Sequence, residues 1–563
     1  MAIVKGDGVI IKGWFGIGGV VFLQIAMFAA VIVLVGIQGW DDGAITLAYS
    51  KTFATTGQIA ITPHSEQAEG FSSVSWFLLN AGIALFQPSF ERAILASQVL
   101  AAGFFCLSTL MLWALGQALK IDRVTVLLMA AVYATIGPSV QEAANGMEMS
   151  LLTFTGLVII YFLYFRLNIA VVLISAAVFL LTRFEAMVYY EFIVFPLIFD
   201  RRRKLFLSLA LYGVAVVGVQ EWVRLAVFAD LFPNTIYAKL HPPYLKSGLY
   251  ALASRVMAGT EMLRILPLVF LATLFLIVYR LDDLRTNRHG GRPVARAIVV
   301  LFSPIAGVLL FNTMIGMSWG YSGRMQTLAL PLIILVCGLL FDAACGALAR
   351  KYMFATVVLS GLTVLGSWYV SANSVLLQGF SALAARTSAD AELFGVTPAS
   401  YRLTGLAVDR IRQLTGKAVI TFLTPDVGGL GLCCSNIRII DLGLLTSRTL
   451  AKHGYAALHD VMLAEQPDVI EVHQTWALNS NIYNLPIFRE NYQSLIVDGT
   501  RLYVHRQLAQ TLMNEKNASL CTFNEEKCRS DALELHRYAP GSTRRDDVEF
   551  MKDGYYIAVT RAQ

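Results

Sequence analysis

Two adjacent carboxylates, in Trp40-Asp41-Asp42-Gly43-Ala44, follow directly on a long apolar stretch. Adjacent like charges raise each other's proton affinity, and a poorly hydrated setting raises it further. A carboxylate tuned in this way can take a proton from an acceptor hydroxyl as general base. The plainer alternative is a solvated pair that marks a helix end. The segment continues through His64, Glu66 and Glu69 in Pro63-His64-Ser65-Glu66-Gln67-Ala68-Glu69-Gly70-Phe71 and reaches Trp76. Four acids and a histidine therefore fall within 29 residues, together with aromatics that can stack on sugar rings.

Three other clusters complement these acids in charge. They are Thr182-Arg183-Phe184-Glu185, then Pro233-Asn234-Thr235-Ile236-Tyr237-Ala238-Lys239-Leu240-His241, then Ser318-Trp319-Gly320-Tyr321-Ser322-Gly323-Arg324. Each borders an apolar run. Ionisable groups at membrane depth are expensive and mark functional positions; the competing explanation is interfacial anchoring by snorkelling Lys and Arg. Acids on one loop facing cations on others suit a substrate that carries a phosphate beside a reacting hydroxyl. The loop acids could also bind a divalent metal, although no ligand spacing demands one. No cofactor is called for.

The elements that must position these residues are membrane helices. Of the 563 residues, 56% are hydrophobic and only 15% charged, with mean hydropathy +0.61, whereas soluble domains average about 25% charged residues. A purely cytosolic protein is excluded. With about 17–25 apolar residues needed per span, the sequence predicts eleven: 14–37, 92–117, 124–140, 148–165, 168–182, 184–199, 205–227, 261–280, 297–314, 325–345 and 353–372. The first apolar stretch exceeds the usual signal-peptide core, so it reads as an anchor. Trp76–Phe86 is too short to cross and reads as an interfacial helix lying on the outer face. This divides the chain into a transmembrane part, 1–372, with an outer loop 38–91, and an outer α/β domain, 373–563. In the latter, Ser388–Leu414 has helical periodicity, and strands are expected at Ala418–Leu423, Ile437–Ile440, Val469–Val472, Tyr492–Val497 and Leu502–His505.

The net charge of +6 records topology. The tail 373–563 has 19 basic and 20 acidic residues, so the excess lies in the first 372, with 25 and 18. Sixteen of those 25 cations fall in loops on one side, which makes that side cytoplasmic and the N-terminus with it. Nothing in this distribution suggests nucleic acid. The expected setting is the bacterial inner membrane, with the C-terminal domain periplasmic or extracytoplasmic. There Cys521 and Cys528 are placed to form a disulfide; Asn517-Ala518-Ser519 fits a glycosylation sequon, a pattern frequent by chance; and adjacent Cys433 and Cys434 lack metal-type spacing.

Taken together, five motifs in order resemble a known family. They are Asp41-Asp42-Gly-Ala-Ile, Pro63…Glu66-x-x-Glu69-Gly70-Phe71, Leu181-Thr182-Arg183-x-Glu185, Pro233-Asn234-Thr235-x-Tyr237-Ala238-Lys239 and Trp319…Arg324…Pro331. The set resembles the GT-C glycosyltransferases similar to the mycobacterial terminal β-(1→2)-arabinofuranosyltransferase, over residues 14 to about 345 and more loosely in the tail. The resemblance implies a GT-C fold and transfer of a sugar, arabinofuranose favoured, from a polyprenyl-phosphate donor on the extracytoplasmic face. The acceptor would be a cell-envelope glycan or a surface protein such as a pilin, with membrane lipid as surroundings. Asp41 or Asp42 would be the base or acceptor-orienting carboxylate. Arg183, Lys239 and Arg324 would hold the donor phosphate, and Glu66 and Glu69 would shape the sugar or acceptor site, with His64, Glu185, Asn234, Tyr237, His241 and Trp319 around them. Ser318 stands where many relatives have Asp, and Phe71-Ser72-Ser73 replaces an aromatic-Thr-Asn. Two other classes compete: a transporter or flippase of lipid-linked sugar, which would commonly show repeat symmetry, and a structural or sensory protein, which leaves the acidic loop unexplained.

Overall fold

The computed structural model describes residues 7–35, 39, 41–135, 137–242, 244, 251–253, 255, 292–315, 324–348, 397–497, 500–514, 518–522 and 555–559. Nine of the eleven expected spans overlie described helices. The stretches 261–280 and 353–372 lie outside the described residues. Among the described residues, three helices are long and apolar enough to cross a membrane by length and composition, at Phe90–Ala118, Arg203–Phe228 and Arg296–Ile315, and several shorter apolar helices pack with them.

The helical half runs α1 (Asp7–Val35), α2 (Asp41–Thr56), α3 (Val74–Ala84), α4 (Phe90–Ala118), α5 (Arg123–Thr135), α6 (Gly137–Asn145), α7 (Met149–Tyr164), α8 (Ile169–Thr182), α9 (Ala186–Val194), α10 (Arg203–Phe228) and α11 (Asn234–Ala238). Two further helices follow at Arg292–Ile315 and Ala329–Leu348. The acid pair, read from sequence as part of a loop, instead opens the 16-residue helix α2. Carboxylates in a first helical turn face the positive end of the helix dipole, which favours this start.

Helices α3 and α8 begin where a polar side chain caps the free N–H groups. Ser73 accepts from Trp76 N at 3.2 Å to start α3, and Asn168 accepts from Val171 N at 3.3 Å to start α8. The bundle core is aliphatic and aromatic, with Leu112, Leu152, Ile159, Ile160, Tyr189, Tyr190 and Leu332 fully enclosed. Three polar groups within it find partners on neighbouring helices: Thr109 Oγ1 donates to Gln24 at 3.1 Å, Tyr190 Oη to the Leu209 carbonyl at 3.0 Å, and Tyr212 Oη to that of Leu173 at 2.9 Å. Without water in hydrocarbon, such bonds are the alternative to unsatisfied groups. Helix α3 buries Trp76 against Leu151 and Ala101 and leaves Leu78 and Leu79 exposed, with Leu85 and Phe86 exposed just after it.

From Thr397 onward the chain forms a mixed sheet of β1 (Ile420–Thr424), β2 (Ile437–Asp441), β3 (Val469–Ile470), β4 (Tyr492–Val497), β5 (Thr500–His505), β6 (Ala518–Thr522) and β7 (Tyr555–Val559), in the order β2-β1-β3-β5-β4-β7-β6. The five expected strands are present. β6 and β7 are additional, and their pairing, Ser519 with Ala558 and Leu520 with Ile557, joins segments too far apart in sequence for local patterning to show. The strands β2, β1 and β3 are parallel, with Phe422 beside Ile439 on one side and Val469 on the other. The expected helix at 388–414 is described as Pro398–Leu414.

The sheet half is seated on the segment 41–77. Ile45, Tyr49, Ile61, Phe71 and Phe77 share one buried cluster with Val408, Phe422, Leu430 and Ile439. Thr62 Oγ1 donates to the Ile437 carbonyl at 2.7 Å, and Ser65 Oγ accepts from Ile439 N at 2.9 Å. Cys433 and Cys434 are joined as a vicinal disulfide. Cys528 lies outside the described residues.

Candidate functional site

Successive helical residues point about 100° apart, so the first turn of α2 separates the two acids. Asp41 turns toward the sheet half. It is 5% exposed, and its Oδ2 and Oδ1 accept the backbone N–H groups of Gly428 and Gly429 at 3.0 and 2.7 Å. Burial and the nearby Asp426 push its pKa to about 8, against the opposing pull of the Gly429 and Gly428 N–H groups. The approach is close enough to require glycine. A Cβ on Gly428 would lie 2.2 Å from the Asp41 carbonyl oxygen, and one on Gly429 2.0 Å from that of Pro398. Gly428→Ala is therefore expected to destabilise the protein by about 1–3 kcal/mol, the usual scale of overpacking. An unchanged apparent melting temperature would contradict this.

Asp42 faces the other way. Its Oδ2 accepts from Arg324 Nη1 at 3.1 Å, and its side chain is 35% exposed against 8% for the arginine. Asp42 is thus reachable while its cation is enclosed. Arg324 Nη2 also donates to Glu148 Oε1 at 3.3 Å. The same oxygen accepts from Arg183 Nη1, and Arg183 Nε donates to Glu185. The chain Asp42–Arg324–Glu148–Arg183–Glu185 therefore ties together residues from four separate stretches of sequence.

Lys239, directly after α11, joins this group. Its side chain keeps contact with solvent, yet protein surrounds it closely enough that desolvation lowers its pKa, with Arg183 and Arg324 acting the same way and Glu185 and Asp42 opposing. The arrangement is a reachable carboxylate beside three cations, each with donors left for an anion. Arg324 Nε, buried, has no partner among the described residues.

Of the remaining residues singled out in the sequence, Glu66, Tyr237 and His241 clasp the helical half to the sheet half. Glu69 pairs with buried Arg224, at 3.1 Å between Oε1 and Nη2, and its carbonyl accepts from Asn234 N at 3.1 Å. Glu66 Oε2 accepts from Arg448 N at 3.0 Å. His241 Nε2 lies 3.0 Å from the Lys452 carbonyl, and the Lys452 ammonium stands 5.6 Å from the Tyr237 ring. Asp230 takes Arg448 at 2.8 Å. His64 is exposed, and Trp319 lies outside the described residues. Among the described residues no group of three or more His, Cys, Asp or Glu side chains is placed to hold a metal ion.

Another polar cluster sits past the carboxyl ends of β1 and β3. His473 Nδ1 is 2.7 Å from Glu471 and Nε2 3.2 Å from Asp426, while Thr424 Oγ1 donates to Glu471 at 2.9 Å. Burial alone would lower the His473 pKa, but Glu471 and Asp426 raise it from 6.5 to about 11. A raised pKa means stabilisation that is complete below about pH 6.5 and fades as pH climbs toward 11. The ring is expected to remain an imidazolium at pH 8 in the nitrogen NMR spectrum of histidine-labelled protein. A neutral-ring signal from His473 there would refute the pairing.

Sequence reasoning missed Glu148 and Glu142. Both sit between two apolar runs at the same edge as Arg183, so the rule that singled out Arg183, an ionisable group bordering a span, reaches them as well. Their interest was hidden because Asn145-Gly146-Met147-Glu148 carries no cation and matches no motif.

No family model matches the sequence, and no curated protein matches it. Among solved structures, the chain is similar to the Archaeoglobus fulgidus oligosaccharyltransferase in the apo form, with TM-score 0.48, 9% identity, and coverage of 94% of this chain and 85% of that one. It is also similar to the same enzyme tethered with an acceptor peptide containing the NVT sequon, with TM-score 0.46, 9% identity, and coverage of 86% and 74%. A further similarity is to ArnT from Cupriavidus metallidurans bound to undecaprenyl phosphate, with TM-score 0.46, 14% identity, and coverage of 86% and 98%.

Proposed function

We propose that this chain is an integral-membrane glycosyltransferase of GT-C type that moves a sugar from a polyprenyl-phosphate donor to a hydroxyl of a cell-envelope glycan or surface protein. The observation that carries the proposal is the pairing of solvent-reachable Asp42 with enclosed Arg324, beside Arg183 and Lys239. Asp42 takes the proton of the acceptor hydroxyl as its oxygen bonds to the anomeric carbon. The bond from that carbon to the phosphate oxygen breaks, and the polyprenyl phosphate leaves with the bonding pair. Arg324, Arg183 and Lys239 stabilise the charge that collects on the phosphate, where fixed cations in a poorly hydrated site act most strongly. Asp41 anchors the sheet half so that Asp42 faces Arg324. The ordered motifs favour arabinofuranose as the sugar. The distribution of loop cations supports a site on the extracytoplasmic side of the membrane.

The direct test is product formation by purified protein given polyprenyl-phosphate arabinose and envelope glycan fragments. Glycosylated product with release of polyprenyl phosphate is expected. Movement of lipid-linked sugar across liposomes without any product would favour the transporter instead. Orientation has its own check: a cysteine introduced at exposed Arg202 is expected to resist membrane-impermeant reagents in intact cells, and ready labelling would overturn the topology.

A further inference from the structure

We infer that Glu148 is a positioning residue that sets the spacing of Arg183 and Arg324 and thereby shapes the phosphate seat; this deepens the function proposed above and rests on it. One carboxylate oxygen accepts from both guanidinium groups, from Arg183 Nη1 and from Arg324 Nη2 at 3.3 Å. The Glu148 side chain is only 4% exposed, so water does not compete for it. Each arginine is held on its other side by a second acid: Arg183 by Glu185, Arg324 by Asp42. A guanidinium has five N–H donors in a rigid fork, and these two bonds apiece leave donors on both for an anion.

The turn that presents Glu148 is itself fixed. Ser97 Oγ on α4 donates to the Gly146 carbonyl at 2.9 Å, and Gln98 Nε2 to that of Ala144 at 2.6 Å. Gly146 has φ +69°, and a Cβ there would stand 3.1 Å from Gln98 N. Glu142, 1% exposed, accepts from Met149 N at 3.1 Å, which fixes the start of α7 next to Glu148. Without Glu148, Arg324 keeps Asp42 as its remaining acid, and the closer pairing of those two draws the cation from the phosphate and blocks the base. A group held in this way meets the requirement of preorganised electrostatic stabilisation, in which the charges are already in place before the reaction.

The inference is tested with three full-length variants, measuring turnover, donor KM and the binding of a polyprenyl phosphate of defined length. Glu148→Ala is expected to lower kcat/KM for the donor about 100-fold, the scale set by misplacement of about 1 Å, with acceptor KM unchanged. Glu148→Gln keeps the reach and an accepting oxygen but loses the charge; Glu148→Asp keeps the charge but shortens the reach. Positioning requires Gln to retain more activity per folded molecule than Asp. Asp equal to or better than Gln would overturn it in favour of charge balance alone, and this comparison stands even if the Ala variant does not fold. Wild-type protein that fails to bind polyprenyl phosphate would defeat the proposed function itself, whereas wild-type binding with all three variants equally active would defeat only the role of Glu148.

Discussion

Asp42→Asn is expected to reduce transfer by about 10²–10⁴-fold, the usual contribution of a positioned general base, while the protein accumulates and melts as the wild type does. The substitution keeps the shape and one accepting oxygen, so the contact with Arg324 survives as a hydrogen bond from the guanidinium to a neutral amide oxygen. What it removes is the ability to accept a proton. With the side chain 35% exposed, the change leaves no stranded buried charge on the Asp42 side. Arg324 retains Glu148 as a partner, so folding has little to lose. Asp41→Asn differs in kind. There both carboxylate oxygens are occupied by Gly428 and Gly429 N–H groups, and an amide presents a donor where an acceptor is needed. Leaving a buried hydrogen-bonding group unsatisfied costs about 1–3 kcal/mol, so the loss is expected in the melting temperature and in protease resistance of the sheet half. Full activity of Asp42→Asn in the purified system, with Asp41→Asn inactive yet stable, would exchange the two roles.

The same pair shows what the sequence could and could not reveal. That two acids stand where the first apolar run ends is plain from residue order, and so is the charge pattern that orients the helices. That they divide between the sheet half and Arg324 depends on a helix starting at Asp41 and on a dipeptide, Gly428-Gly429, almost 400 residues away, which has no side chains to block the approach. Strands β1 to β5 were readable because β-branched and aromatic residues cluster between turn signals. β6 and β7 were not, because β7 inserts beside β4 through pairings of Ile496 with Ala558 and Val497 with Val559 that no local pattern specifies. Glu66, His241 and Tyr237 carried the right chemistry for a sugar site, and the fold uses them to clasp its halves. Glu148 shows in sequence only as an ionisable residue bordering an apolar run, and its meaning comes from two arginines brought to it by α8 and by the segment before the Ala329–Leu348 helix.

Arg324→Ala is expected to produce the second large loss, about 10²–10³-fold in turnover, as for removal of one donor from a charge-stabilising site. Three consequences act together. On the proposed function the donor phosphate loses a cation and Asp42 the partner that orients it, and Glu148 is left enclosed with Arg183 alone. Breaking a buried ion pair from one side is destabilising by about 3–5 kcal/mol, so activity must be expressed per folded molecule. Arg324→Lys separates the contributions. An ammonium preserves the charge but not the planar fork that spans Asp42 at 3.1 Å and Glu148 at 3.3 Å, and it cannot hold both acids and still offer parallel donors to a phosphate. Stability close to wild type is therefore expected with turnover still reduced more than tenfold, an order of magnitude below what charge alone predicts. Recovery of full turnover by the lysine would mean that a point charge suffices and that the fork geometry at this position is structural. Persistent loss with unchanged polyprenyl-phosphate binding would instead locate the role of Arg324 in orienting Asp42, because a base left without its partner fails at proton transfer while the remaining cations, Arg183 and Lys239, still hold the donor.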